Sequence, residues 1–128
     1  MSATYRLELP WDRPPLTANH RLHRQEEAKR VKMVRETVGW LAKAARIPAG
    51  DHCTIGLEWA PVTKGRRDAI NLFPTLKACG DGIVDAGVIR DDTPDLVDTP
   101  TPVILSPSGT VGRMWLVITV EQAVEVTG

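Results

Sequence analysis

Five aspartates lie close together in residues 66–92, around a single predicted helix. In chain order they are Asp68, Asp81, Asp85, Asp91 and Asp92. Carboxylates that a short local fold brings together can share a divalent cation. Mg²⁺ prefers oxygen ligands and keeps several waters, so two or three carboxylates are enough to bind it. Basic residues just before the aspartates suit a phosphate ester arriving at that metal. The pattern therefore predicts a metal-dependent site that acts on phosphates, and a nuclease is the favoured class.

Lys77, Asp81 and Asp85 follow one another at intervals of four residues, so a helix would place them on one face. One interpretation is an ordinary i,i+4 ion pair, which is worth only about 0.2–0.5 kcal/mol. The functional interpretation gives Lys77 the scissile phosphate, or the charge that develops in the transition state, because a lysine is a mobile point charge.

Asp68 stands where a strand or loop meets the start of the predicted helix. A carboxylate there can bind a metal or cap the helix. With Asp81 and Asp92 in the same stretch, metal binding by Asp68 is favoured over capping. Asn71 either bonds the loop backbone or orients Asp68, and the sequence leaves both open.

A basic loop precedes this motif. Its cations are Lys64, Arg66 and Arg67, and we expect them to contact the DNA backbone, which orients a substrate without reading its sequence. A second basic surface lies on the first predicted helix. It consists of Lys29, Arg30, Lys32 and Arg35.

Two groups of residues resemble the motifs of a known family. The main group comprises Arg67-Asp68, Asn71, Lys77 and Asp81 spaced as K-x-x-x-D, Asp85-Ala86-Gly87 and Asp91-Asp92. The group near the start comprises Leu9-Pro10-Trp11, Pro14-Pro15 and Asn19-His20, similar to an LPxPPSxN-type segment. Together they resemble the RusA family of Holliday-junction resolvases over nearly the whole chain.

The resemblance implies a small homodimeric α/β endonuclease that uses Mg²⁺, with Mn²⁺ as a possible substitute, to nick four-way DNA junctions symmetrically. It implies catalytic roles for Asp68, Lys77, Asp81 and Asp92. Asp92 would be a metal ligand, and Asp91 would support it or stabilise the turn.

The chain departs from the family pattern at one carboxylate. The best-known members read D-x-D-N, whereas this chain reads Asp68-Ala69-Ile70-Asn71. It resembles a phage and actinobacterial branch in which the second position varies. Asp81 is expected to supply the missing ligand, and Ile70 is then expected to pack as an apolar side chain beside the site.

Length and composition predict one ordinary globular domain over residues 1–128. The apolar share is 42% and the charged share 25%, both usual for a soluble protein. The sequence has no apolar run long enough to predict a membrane span, and no signal peptide is visible. We therefore expect a cytoplasmic protein of a bacterium or phage-infected cell. Cys53 and Cys79 are expected to be free, buried thiols in a reducing compartment.

The formal net charge is zero, but its distribution is uneven. Through Arg67 there are 13 Lys and Arg against 7 Asp and Glu, a balance of +6, and from Asp68 onward there are 3 against 9, a balance of −6. A basic half that binds phosphate, joined to an acidic half that binds metal, would give the whole chain a net charge near zero. The alternative is that the two halves are solvated faces that attract one another.

Hydrophobic periodicity predicts a mixed or antiparallel sheet packed by two helices, an α/β (α+β) fold in the order β-α-β-α-β-β. Strands are predicted at residues 4–9, 52–61, 96–105 and 112–120, and helices at 23–46 and 72–86. Pro100 and Pro102 push the third strand to an edge or an irregular position. Gly80 and Gly82 make the second helix less regular. Three tryptophans lie in periodic elements and are expected in the core or at a dimer interface. They are Trp40, Trp59 and Trp115.

Two other functions remain open from the sequence. The first is a junction-binding dimer that lost catalysis together with the carboxylate at position 70. The second is an unrelated soluble α/β binding module whose acidic loops are solvated.

Overall fold

A computed structural model describes residues 2–19 and 21–122, so His20 of the early motif lies outside the described residues. The elements are β1 Ser2–Leu9, α1 Arg24–Ala44, β2 His52–Ala60, a 3₁₀ turn Ala69–Leu72, α2 Phe73–Asp85, β3 Val97–Asp98, β4 Val103–Ile104 and β5 Arg113–Glu121. This confirms the predicted α+β class, with a mixed sheet and two helices. No helix among the described residues is long and apolar enough to cross a membrane.

The last described strand, β5, lies in the middle of the sheet. It pairs antiparallel with β1 on one side and with β2 on the other, so that Leu116 stands opposite both Leu7 and Leu57. The other edge of β2 carries β3 and β4, both parallel to it. The sheet order is therefore β1-β5-β2-β3, with β4 also beside β2.

The single strand predicted over residues 96–105 is wrong, because the structure has two short strands there. Cys53 pairs with Val97, and five residues further along β2, Glu58 pairs with Val103. Pro100 and Pro102 fall in or beside the interruption, and a proline has no N–H to give to a ladder. The prolines account for the break and for its position at the sheet edge.

One face of the sheet carries the core. Alternate residues of the two central strands are buried there, and they are Cys53, Ile55 and Leu57 on β2 with Met114, Leu116 and Ile118 on β5. The two helices cover this face with Val34, Val38, Leu76 and Ile83. Each fully buried side chain of this size contributes about 1.5–3 kcal/mol of transfer free energy. Cys53 and Cys79 are free and buried as predicted, and burial raises the pKa of the Cys79 thiol to about 12.

The two helices pack closely where α2 has a glycine. A Cβ at Gly82 would lie 2.7 Å from the carbonyl oxygen of Arg35 and 3.0 Å from the Cβ of Val38. The glycine that was expected to weaken α2 is therefore a contact point, and α2 is continuous through it. Gly87, with φ of 81°, follows the end of the helix in the left-handed conformation.

Candidate active site

Lys77 lies between two carboxylates on the surface of α2. Its ammonium donates a hydrogen bond to Asp81 Oδ1 at 3.0 Å, one turn along the helix, and a second to Asp92 Oδ2 in the loop that follows. The Lys77 side chain is 65% exposed, whereas those of Asp81 and Asp92 are 24% and 29% exposed. Two carboxylates thus converge on one cation at an accessible surface.

The loop after α2 brings Asp92 back to the helix. Gly87 turns the chain, and Val88 and Ile89 are then buried in the core. The carbonyl of Val88 also accepts a hydrogen bond from the N–H of Gly50 at 2.9 Å. Because these two residues are fixed, the chain emerges again beside Lys77. There Asp91 Oδ1 accepts the backbone N–H of Asp92 at 2.8 Å, which is the turn-stabilising contact considered for Asp91.

Lys77 and Asp92 stabilise each other's charged forms. The hydrogen bond to Asp92 is the main cause that raises the pKa of Lys77, and the bond to Asp81 adds to it. The same Lys77 contact is the main cause that lowers the pKa of Asp92. An opposite charge in contact favours the ionised state of each group. The formal charges of the one ammonium and two carboxylates sum to −1, which leaves room for further positive charge.

Arg35 of α1 belongs to the same electrostatic environment. Its guanidinium donates to both oxygens of Asp85, and this bond is the main cause that raises the Arg35 pKa, with smaller contributions from Asp81 and Asp92. The helix face predicted to join Lys77 to Asp85 is divided, since Lys77 binds Asp81 while Asp85 binds Arg35. From its sequence position, Arg35 was expected only on a basic helix face. The pair spans 50 positions, so no local signal could have revealed it.

Asp68 caps the 3₁₀ turn. Its Oδ1 accepts the N–H of Ile70 at 3.1 Å, which is the capping role left open as an alternative to metal binding. The N–H of Asn71 donates to the carbonyl of Asp68 at 3.1 Å, and the carbonyl of Asn71 accepts from Ala18 at 3.0 Å. The backbone of Asn71 thus connects the turn to the N-terminal loop, and the role of its side chain stays a prediction.

Two of the three predicted ligands, Asp81 and Asp92, lie close enough together to contact one cation, the Lys77 ammonium. Among residues 2–19 and 21–122, no three His, Cys, Asp or Glu form a group that could hold a metal ion. Asp81 and Asp92 already share one cation, and Mg²⁺ is commonly held by one or two carboxylates with waters completing the shell. Carboxylate oxygens are the ligand type that Mg²⁺ prefers, and metal binding by these two residues, or by the three-carboxylate set with Asp68, stays a prediction.

Ile70 does not pack beside the site as expected. Its side chain is 61% exposed, whereas Leu72, at the end of the same 3₁₀ turn, is 3% exposed. A 3₁₀ turn of only four residues cannot bury all of its side chains. Here Leu72 takes the position that faces the core, and Ile70 points away from it. Residue 70 therefore stands in solvent, where a carboxylate could be accommodated without desolvation.

The basic loop is only partly available to a ligand. Arg67 donates to the carbonyl of Thr63 at 2.9 Å, and its guanidinium carbon lies 5.2 Å from the centre of the Trp59 ring. Stacking and hydrogen bonding hold this arginine against its own loop. Lys64 and Arg66 are exposed. These two side chains are the better placed of the three predicted contacts.

The proline-rich N-terminal loop is fixed to the start of α2. The hydroxyl of the fully buried Thr75 donates to the carbonyl of Leu16 at 2.6 Å and accepts the Leu16 N–H at 3.1 Å. Trp59 donates its indole N–H to the carbonyl of Asp12 at 3.1 Å. A stretch within the early motif, at Leu16, is thus bonded to the start of α2 at Thr75. Thr75 was not predicted from the sequence, although a threonine beside a helix-starting proline was visible there.

An open groove of about 450 Å³ begins beside the Lys77 cluster. Its lining includes Phe73, Leu76, Lys77, Gly80, Asp92, Pro94 and Val97. The carboxylates and the ammonium therefore stand at the margin of a concave surface, where a bound phosphodiester could approach them.

No protein-family model and no curated protein matches the chain. The RusA-like interpretation accordingly rests on the motif residues and on the cluster that they form.

Proposed function

We propose that this protein is a Mg²⁺-dependent, structure-specific endodeoxyribonuclease that resolves Holliday junctions in recombination and repair, in the cytoplasm of a bacterium or phage-infected cell. The observation that carries the proposal is the convergence of Asp81 and Asp92 on the Lys77 ammonium at an accessible surface. Paired carboxylates can hold a metal ion and a nearby ammonium can neutralise phosphate charge, and metal-assisted phosphodiester hydrolysis can use both.

Each residue of the cluster has a role in this proposal. Asp81 and Asp92 would hold the Mg²⁺ ion, which when bound supplies an acidified water and neutralises phosphate charge. Lys77, whose side chain is 65% exposed, would donate to a non-bridging phosphate oxygen and stabilise the charge that develops there. Asp91 would keep Asp92 in place through its bond to the Asp92 N–H.

The substrate would approach along the basic loop. Lys64 and Arg66 are exposed and lie in the loop that leads to Asp68 and the 3₁₀ turn before α2. Contacts from these cations to the DNA backbone would orient a strand without reading its sequence. The second basic surface is less available, because Arg30 pairs with Glu26 and Arg35 pairs with Asp85.

The test is cleavage of a four-way junction labelled in each strand, with and without Mg²⁺, beside a linear duplex of the same sequence. The wild type should nick the junction only with metal and leave the duplex intact. Asp92→Asn should bind the junction and cut it at least roughly 100-fold more slowly, equivalent to about 2.7 kcal/mol. The matched control is Asp95→Asn in the same loop, where the carboxylate accepts from Thr93, and it should cut normally.

A second candidate is a junction-binding dimer without catalysis. The observation that favours it is that Lys77 already occupies the position between both carboxylates, while residue 70 is an exposed isoleucine where the family pattern has an aspartate. Binding without cutting in any divalent metal would select this candidate. Failure to bind branched DNA at all would instead select an unrelated α/β binding module.

A further inference from the structure

The outer edge of β1 is open in the described part of the chain. This eight-residue strand pairs with β5 on one side, and no described strand pairs with its other side. Edge strands usually carry devices that prevent pairing, such as prolines, charged side chains on the edge or charges that point inward. The edge charges of β1, Arg6 and Glu8, are opposite in sign, so they can pair with each other across a two-fold axis. Within Ser2–Leu9 there is no proline, and the inward-facing Tyr5 and Leu7 are apolar, partly exposed and packed at the margin of the core.

We propose that this edge pairs antiparallel with β1 of a second copy, around a two-fold axis at Leu7, to form one continuous sheet. The proposal names the surface of the homodimer that the proposed nuclease requires, and in that sense it rests on the proposed function. It is argued from β1 itself, and its test needs neither DNA nor metal.

Charge complementarity selects the register. In a continuous sheet, opposed residues must face the same side, so the axis passes through a residue position. With the axis at Leu7, Arg6 stands opposite the partner's Glu8 on the open face, and Tyr5 stands opposite the partner's Leu9 on the covered face. An axis at Arg6 would oppose two arginines, and an axis at Glu8 would oppose two glutamates. Like charges directly opposite each other are unfavourable.

The pairing would extend ion pairs that each copy already has. Within one copy, Arg6 binds Glu58 at 2.9 Å, and Arg113 binds Glu8 at 2.6 Å. Joining Arg6 to the partner's Glu8 makes a row whose charges alternate in sign across the two copies. Trp115 supports this row from below, since the guanidinium carbons of Arg6 and Arg113 lie 4.2 and 5.3 Å from its ring centre.

The helix layer offers additional area beside the same edge. The α1 helix packs mainly against α2 and also contacts β1. Met33, Thr37, Trp40 and Ala44 follow one another at helical spacing. Met33 is 37% and Trp40 is 76% exposed. Leu41 of this helix lines a groove together with Leu9 of β1. A pair of strands alone buries much less surface than the roughly 1,200–2,000 Å² of a usual stable interface. A second copy that also covers these apolar groups on α1 adds to the buried area.

The test uses two charge reversals and their mixture, measured by light scattering and native mass spectrometry. The wild type should be a dimer. Arg6→Glu and Glu8→Arg should each weaken dimerisation at least roughly 10-fold, because each variant alone opposes like charges. An equimolar mixture should restore a heterodimer, since the acidic edge of one variant meets the basic edge of the other. Mixing does not repair the ion pairs that each substitution breaks within its own chain. Recovery of dimerisation in the mixture would therefore come from the contact between copies.

Three results would overturn the proposal. They are a monomeric wild type at working concentration, single variants that dimerise like the wild type, and folded variants whose mixture stays monomeric. Circular dichroism checks that the variants fold. If either does not, Leu7→Cys provides the decision, because it should form a disulfide-linked dimer across the axis while Thr4→Cys should not. Absence of that cross-link would also overturn the proposed interface. The cleavage assay tests the proposed nuclease activity independently of this result.

Discussion

The guanidinium of Arg35 binds both carboxylate oxygens of Asp85, with N–H···O distances of 3.0 and 2.8 Å. The two side chains join α1 to the end of α2 in the two-bond geometry that arginine and carboxylate favour. Both are nearly half exposed, so solvent reduces the stabilisation to at most about 1 kcal/mol. The pair nevertheless links the helix that bears Lys77 to its neighbour.

The Asp85 contact should give a defined response to acid. The hydrogen bond from Arg35 is the main cause that lowers the pKa of Asp85 from its ordinary 3.8. A lowered folded-state pKa means that the stabilisation is complete above the unfolded value and is lost as the pH falls through the folded value. Asp85→Asn should therefore unfold at a lower temperature than wild type at neutral pH, with the difference shrinking below pH 3.8. Melting curves across the acid range measure this, and a constant difference would contradict it.

Lys77→Ala should release Asp92. Without the ammonium, the pKa of Asp92 should rise towards its ordinary value, because the hydrogen bond from Lys77 is the main cause of its depression. Carboxyl-detected NMR titration of both proteins reads this shift without any activity assay. In the proposed nuclease the same variant should slow cutting more than it weakens junction binding. An unchanged Asp92 titration would show that the contact does not persist in solution.

Asp81→Asn and Ile70→Asp decide how the missing family carboxylate is compensated. If Asp81 acts as the replacement ligand, the wild type cuts and Asp81→Asn loses most of its activity. If nothing replaces it, the wild type cuts poorly and Ile70→Asp, placed at an exposed position, should raise the rate. We expect the first outcome. Mg²⁺-dependent nicking of one junction by all three proteins separates them, and full activity of Asp81→Asn would refute the replacement.

Reversing the exposed cations of the basic loop should weaken DNA binding. Lys64→Glu combined with Arg66→Glu should lower affinity and flatten its salt dependence, with the slope reduced by about one for each phosphate that the loop no longer neutralises. Lys32→Glu is the comparison on α1, where the lysine already faces Glu36 at 3.9 Å, and it should change binding less. Fluorescence anisotropy at several salt concentrations reports both quantities. An equal decrease in the two proteins would point to a nonspecific effect of charge.

Gly82→Ala should destabilise the fold by about 1–3 kcal/mol, because its methyl group would overlap the backbone of Arg35. Gly80→Ala is the matched control, since a Cβ there meets no atom within 4 Å. It should be neutral or stabilising by up to about 1 kcal/mol, as expected for alanine in place of a helical glycine. Urea unfolding compares them, and equal midpoints would show that the helices do not meet closely at Gly82.

Local patterns predicted the elements because their causes are local. The alternation through Cys53, Ile55 and Leu57 reflects one buried face of β2, and the structure buries all three. Prolines at 100 and 102 likewise predicted an irregular edge segment, although the sequence did not show that it becomes two separate strands. The position of β5 between β1 and β2 was not predictable, because strand order depends on pairing between distant residues.

The candidate site was predictable only in part for the same reason. Lys77 and Asp81 are one helical turn apart, so their contact follows from spacing. Asp92 reaches Lys77 only because Val88 and Ile89 are buried, and that depends on the surrounding core. The partner of Asp85 comes from another helix, and its choice depends on how the helices pack.

The central position of β5 also sets an order of events during synthesis. Thr4 and Thr119 are bonded across β1 and β5 although they are 115 positions apart. While the chain is being made, β1 emerges before β5 and lacks its neighbour until residues 113–121 have left the ribosome. Pairing at such separation makes folding slow and leaves partly formed sheets exposed to aggregation. A nascent chain arrested before β5 should consequently be degraded rapidly by proteases, and release of the remaining residues should confer resistance in a single late step.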